Sequence, residues 1–185
     1  MKPSILFVLF FSVSNFCLAG DCSSDIQPPV ISNCPGDQAS CSASANWTSP
    51  AASDNCVVAS FTSTHTPVTI FPVGTTVVTY TAIDSAGNSS TCNFNVTGHP
   101  LPVAEAGPDV ALCDGTVSGV IGGSPTASGG TAPFSYFWTN SGTLDASNVA
   151  NPTASPTQNT SYTVFVIDAN GCADNDFVQV TLSSS

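Results

Sequence analysis

The chain contains no arginine, and its single lysine is Lys2. Eleven Asp and one Glu stand against that one cation, giving a formal net charge of −11 over 185 residues. Without a cationic cluster, no phosphate backbone and no anionic membrane surface finds a partner, so nucleic-acid binding is excluded for want of its main driving force. Salt bridges of the Lys or Arg type are excluded as well. Helix formers are scarce: Leu is uncommon, Glu and Lys occur once each, and no long stripe of 3.6-residue period exists. No Gly-x-Ser-x-Gly, glycine-rich phosphate loop or His-Glu-x-x-His is present. The two histidines, His65 and His99, are isolated from each other and from any Cys pair, which argues against zinc. The expectation is a chain that is not an enzyme.

The long apolar segment needed to cross a bilayer is also missing. The one compact apolar run, Ile5 to Phe11, follows Met1-Lys2 and precedes Cys17-Leu18-Ala19, with small residues at the −3 and −1 positions of a signal-peptidase site. Residues 1–19 therefore read as a secretory signal peptide cleaved after Ala19. Asp21 before Cys22 argues against a lipoprotein. The expectation is a secreted or cell-surface protein with no membrane insertion after cleavage.

Short runs rich in Val, Thr, Ser, Phe and Tyr, punctuated by Gly, Pro, Asn and Asp, fill the remainder. Val68–Phe71, Thr75–Ile83, Thr91–Thr97, Ser135–Thr139, Ser161–Ile167 and Phe177–Leu182 read as strands of an all-β sandwich or barrel. A repeat organises them. Thr76–Asn88 followed by Cys92–Thr97 has the same plan as Thr160–Cys172 followed by Phe177–Thr181. Each is a strand, a tight turn of Asp, Asn and Gly, and a second strand ending in Val-Thr. Two tandem domains result, residues 20–97 and 103–185, joined by a linker at 98–102 whose two prolines stiffen it.

The first domain resembles a hyalin repeat (HYR), an immunoglobulin-like module. The blocks that carry the likeness are Pro28–Pro35, Trp47–Pro50, Asp54-Asn55-Cys56, Phe71–Thr76 and Thr81–Asn88 with Cys92. The second resembles the polycystic-kidney-disease-type (PKD-like) and related immunoglobulin-like repeats of bacterial surface proteins. It does so through Ala104–Asp109, Gly122–Gly130, Pro133–Trp138, Asn151–Ala154 and Ile167–Cys172. The resemblance implies two immunoglobulin-like β-sandwiches and a non-catalytic role in extracellular adhesion or spacing. The partner would be an extracellular protein or a polysaccharide. The alternative is a carbohydrate-binding accessory module of a polysaccharide-degrading system, which requires an exposed aromatic platform. Trp47 and Trp138 are expected in the cores instead, and Tyr80 and Tyr162 as packed residues with hydroxyls reaching backbone.

Seven cysteines follow the signal peptide, and in an exported chain they read as disulfides. Cys34–Cys92 would tie the first strand of the first domain to its last, Cys41–Cys56 would then close a loop around Trp47, and Cys113–Cys172 remain in the second domain; Cys22 is left unpaired, either a free thiol, which is preferred, or an intermolecular link. Each bond would contribute roughly 3–4.5 kcal/mol in the chain-entropy model. No cofactor is expected. Calcium is the one candidate, with Asp54, Asp84, Asp168, Asp174 and Asp176 as oxygen donors. Asp followed by Gly or Asn is equally a turn signal, and the turn reading is preferred. A calcium-stiffened stalk would require these carboxylates to converge at the joint. The sequons at Asn46, Asn88, Asn95 and Asn159 are of the kind chance supplies in a Ser/Thr-rich chain.

Overall fold

The computed structural model describes residues 22–41, 44–113 and 117–183. The signal peptide proposed at residues 1–19 lies outside them. Among the described residues there is no α-helix; two single 3₁₀ turns, Cys22–Ser24 and Ser141–Thr143, interrupt an otherwise β chain.

Six strands build the first sandwich: β1 (Val30–Ser32), β2 (Gln38–Cys41), β3 (Ala51–Ser53), β4 (Val58–Ser63), β5 (Gly74–Asp84) and β6 (Ser89–His99). The sheet β2-β6-β5-β4 is faced by the β1-β3 pair. Val78, Tyr80, Phe94 and Val96, at alternate positions of β5 and β6, turn inward onto Trp47 and Phe71.

Eight strands form the second: β7 (Pro102–Ala104), β8 (Val110–Leu112), β9 (Gly119–Val120), β10 (Ala127–Gly129), β11 (Ser135–Trp138), β12 (Thr153–Ala154), β13 (Thr160–Ile167) and β14 (Ala173–Leu182). Its main sheet runs β11-β13-β14-β8, covered by the pairs β10-β7 and β12-β9. Tyr162, Val164 and Val166 of β13 and Val178 and Val180 of β14 are fully buried around Trp138. The two cores are separate clusters, so the molecule is two tandem immunoglobulin-like sandwiches.

The repeat read from the hairpins extends further than the sequence reveals. In each sandwich a short early strand runs parallel to the last one, pairing Gln38 with Val96 and Val110 with Val180. In each, the Asp just before that strand accepts the next N–H of the last strand: Asn95 N to Asp37 Oδ1 at 2.8 Å, and Gln179 N to Asp109 Oδ1 at 2.9 Å.

Two expectations of local structure change. Val68–Phe71 is not a strand: Val68 takes φ of 68°, a left-handed value that breaks extension, and Ile70 makes only an isolated bridge to Ser44. The linker expected at 98–102 is shorter, because Gly98 and His99 finish β6 and Pro102 opens β7. Only Pro100 and Leu101 lie between the strands.

Candidate functional site

A disulfide crosses the joint between the sandwiches. β2 runs beside β6 to its end, where Cys41 stands opposite His99. Cys172 closes the β13–β14 hairpin turn of the second sandwich. The two cysteines are bonded to each other, across 131 residues of sequence. Asp168 of the same turn lies close enough to His99 to feel its charge, and Gly130 packs against Pro102 and that carboxylate.

The cysteine pairing therefore corrects the expectation. Cys34 is bonded to Cys92, tying the segment after β1 to β6. Cys41, expected with Cys56, is bonded to Cys172 instead, and Cys172 is thus unavailable to Cys113. Cys56 is bonded to Cys22, so the residue expected to be free staples the N-terminal 3₁₀ turn to the β3–β4 loop. Cys113, at the end of edge strand β8, is the exposed free thiol. The physical reason is reach: β2 carries Cys41 along the outside of the sheet to the joint, away from Cys56.

The aspartates have a common role that composition left hidden. Each of those described accepts at least one backbone N–H. Asp84 holds Ala86 N at 2.8 Å and Asn88 N at 2.9 Å, and its second oxygen takes the Asn88 amide. Asp168 repeats this with Asn170 N and Cys172 N, both at 2.9 Å, while Oδ2 takes Thr131 N. In both turns the glycine one residue before the last donor, Gly87 or Gly171, has positive φ (93° and 78°), which L side chains resist. In a chain without Lys or Arg partners, backbone amides stand where cations would, and charge-assisted bonds of this kind are the stronger ones.

Burial alone would raise the Asp84 carboxyl, but the hydrogen bonds from Asn88, Ala86 and Gly87 outweigh it and hold the group below its usual range. Burial of Asp168 is likewise outweighed by the amides of Cys172, Thr131 and Asn170, with His99 adding to the effect. The amide and side chain of Asn95 lower Asp37 in the same way.

The five calcium candidates do not converge. Asp84 belongs to the turn at one pole of the first sandwich and Asp168 to the joint. Asp54 caps its own turn through Cys56 N. Asp174 and Asp176 accept Ala104 N and Ala106 N at 2.9 and 2.8 Å and so bind β14 to the β7 segment. Near Asp54, ligand atoms of Asp25, Asp54 and Cys56 lie within 4.8 Å of one another, but the Cys56 sulfur is spent on Cys22.

Both tryptophans are core residues, 8% and 0% exposed. Trp47 Nε1 donates to the Tyr80 hydroxyl at 2.9 Å, and Trp138 Nε1 to the Val149 carbonyl at 3.0 Å. The tyrosine hydroxyls meet side chains rather than backbone: Tyr80 reaches Ser49 Oγ and Tyr162 reaches Thr143 Oγ1. Replacing Trp47 by Phe keeps most of the packing but leaves the buried Tyr80 hydroxyl without its donor, so denaturant melts should show a loss of about 1–2 kcal/mol. An unchanged midpoint would mean that the bond contributes nothing. His65 lies against Phe71, ring centroids 5.2 Å apart, with Nδ1 at the Thr64 hydroxyl.

The aromatics that do face solvent were not anticipated. On the outer face of the second main sheet, Phe137 pairs directly with Phe165, ring centroids 6.3 Å apart, and Phe177 stands opposite Thr163, one pleat along. Near the start of β13, Asn140, Gly142, Thr143, Thr157, Gln158 and Thr160 line a shallow cleft of about 260 Å³.

Comparison with known proteins bears chiefly on the first sandwich. Residues 24–98 match the HYR domain family. The chain is 40% identical over 86 residues to "Sushi, von Willebrand factor type A, EGF and pentraxin domain-containing protein 1" of Rattus norvegicus and of Mus musculus. That match covers 43% of this chain and 2% of those far longer proteins. Among solved structures, the PKD domain of the KIAA 1837 protein aligns with 26% identity and a TM-score of 0.37, over 44% of this chain and 88% of that one. The insect immune protein hemolin aligns with 12% identity and a TM-score of 0.45, over 88% and 49%. The segment that matches the HYR family holds Trp47, the Cys34–Cys92 bond and Asp84, and it reaches the second sandwich through Cys41. Among the described residues, no helix is long and apolar enough to cross a membrane.

Proposed function

We propose that this chain serves outside the cell as a non-catalytic adhesion or spacer element, its modules being residues 20–97 and 103–185. The observation that carries the reading is the Cys41–Cys172 bond, which fixes the HYR domain to its neighbour. With only Pro100 and Leu101 between β6 and β7, it leaves the pair little freedom to hinge. The HYR match and the disulfides favour a secreted or cell-surface location. The partner on this reading is an extracellular protein or a polysaccharide, and the likeness of the second module to repeats of bacterial surface proteins belongs to it.

Small-angle X-ray scattering of the oxidised chain tests the spacer role. A single rigid particle of one span, unchanged between low and high salt, is the expected result. A broad ensemble of bent and extended forms would overturn it.

A further inference from the structure

The second main sheet has an outer face set with exposed aromatic side chains. Strand alternation places Ser135 and Phe137 of β11, Ser161, Thr163, Phe165 and Ile167 of β13, and Asn175, Phe177 and Gln179 of β14 on that one side. Phe137, Phe165, Phe177 and Ile167 are 58, 40, 59 and 44% exposed. Large apolar side chains gathered on one face, rather than scattered, mark an interaction surface. On the first sandwich's sheet the outward positions of the central strands set Val77 and Ile83 among Thr79, Thr81, Asn93 and Asn95, with no aromatic side chain among them.

Charge says what covers this face. In a chain of net charge −11, none of these nine residues is ionisable. The acidic residues of β14 are turned the other way, where Asp174 and Asp176 take the amides of Ala104 and Ala106. A second copy of the chain would bring two bodies of charge −11 together and would bury the Asn175, Gln179 and serine side chains without assigned partners. A basic protein would find no ion pair there. A neutral sugar chain meets both halves of the surface. The C–H faces of its rings lie on the phenylalanines, and its hydroxyls exchange hydrogen bonds with Asn175, Gln179, Ser135 and Thr163. The cleft beginning at Thr160 is lined by uncharged groups as well.

We infer that the Phe137–Phe165–Phe177 face of the second sandwich is a binding platform for a neutral polysaccharide. This inference rests on the extracellular reading above and names its partner class.

The test is affinity electrophoresis and pull-down of the oxidised mature chain against cellulose, chitin, xylan, mannan and mixed-linkage β-glucan. The variants are Phe137→Ala/Phe165→Ala, Phe177→Ala and, as control on the other module, Val77→Ala. At least one polysaccharide should retard the chain. The double variant should weaken that binding tenfold or more, Phe177→Ala should weaken it less, and Val77→Ala should leave it unchanged, with near-ultraviolet circular dichroism the same throughout. Absence of binding across the panel overturns the proposal, and so does binding that the double variant retains. Concentration-dependent dimerisation abolished by the double variant would assign the face to a second copy and overturn it too. Absence of binding, or binding that the double variant retains, leaves the scattering result as it is, and dimerisation is told apart from a flexible monomer by its concentration dependence, so the rigid-spacer reading stands or falls separately.

Discussion

Replacing Cys41 and Cys172 together by serine uncouples the two sandwiches and lowers stability more than any other paired cysteine replacement in the chain. The bond spans 131 residues, against 34 for Cys22–Cys56 and 58 for Cys34–Cys92. In the chain-entropy model a loop of that length restricts the unfolded chain by about 5 kcal/mol. The effect has two parts. The wild-type chain should melt in one calorimetric transition, because neither sandwich can unfold without freeing the anchor of the other. The double serine variant should melt in two, at lower temperature, with only the Pro100-Leu101 connector joining the sandwiches. A single transition at an unchanged temperature in that variant would mean that the bond neither couples nor stabilises the modules.

The second large effect is acid sensitivity. Asp37, Asp84, Asp145 and Asp168 all titrate below their ordinary value, with backbone amides as donors in every case. A carboxyl whose folded pKa is depressed is protonated first in the unfolded chain as pH falls. Its contribution is complete above the unfolded value of about 3.9 and is lost as the pH drops through the folded one. Melting temperature should therefore hold steady from pH 7 to about pH 5, then fall steeply below pH 4. Asp168→Asn should lose stability at pH 7 and flatten the acid limb, because the amides of Thr131, Asn170 and Cys172 lose a charged acceptor. With no Lys or Arg pairs to screen, added salt at neutral pH should not lower the melting temperature. A stability that rises on acidification would refute this role for the aspartates.

Long strands were legible because Thr75–Ile83, Thr91–Thr97, Ser161–Ile167 and Phe177–Leu182 are continuous β-forming runs, and each lies within β5, β6, β13 or β14. Strands of two or three residues such as β1, β7 and β9 escaped, being too short for alternation to register, whereas the four-residue β11 was read as Ser135–Thr139. Val68–Phe71 misled for the opposite reason: its composition is strand-like, but the backbone turns at Val68. The aromatic platform escaped because β13 is apolar on both faces, so Phe165 and Ile167 could not be told from the core-facing Val164 and Val166. Trp138 and Phe137 are adjacent, and sequence alone does not say which points inward. The cysteines failed where the reading assumed that bonds stay within a domain. Cys41 obeys the path of β2, which ends at the neighbouring sandwich. The repeated Asp-to-backbone bonds at Asp37 and Asp109 connect residues far apart in sequence, and no local pattern announces them.

Peptide mapping of the oxidised chain by mass spectrometry, with and without reduction, tests the central claim most directly. A cross-linked peptide joining Cys41 to Cys172, with Cys113 alkylated as a free thiol before reduction, is the predicted result. Peptides joining Cys41 to Cys56 and Cys113 to Cys172 would contradict it, leaving two sandwiches joined by the chain alone.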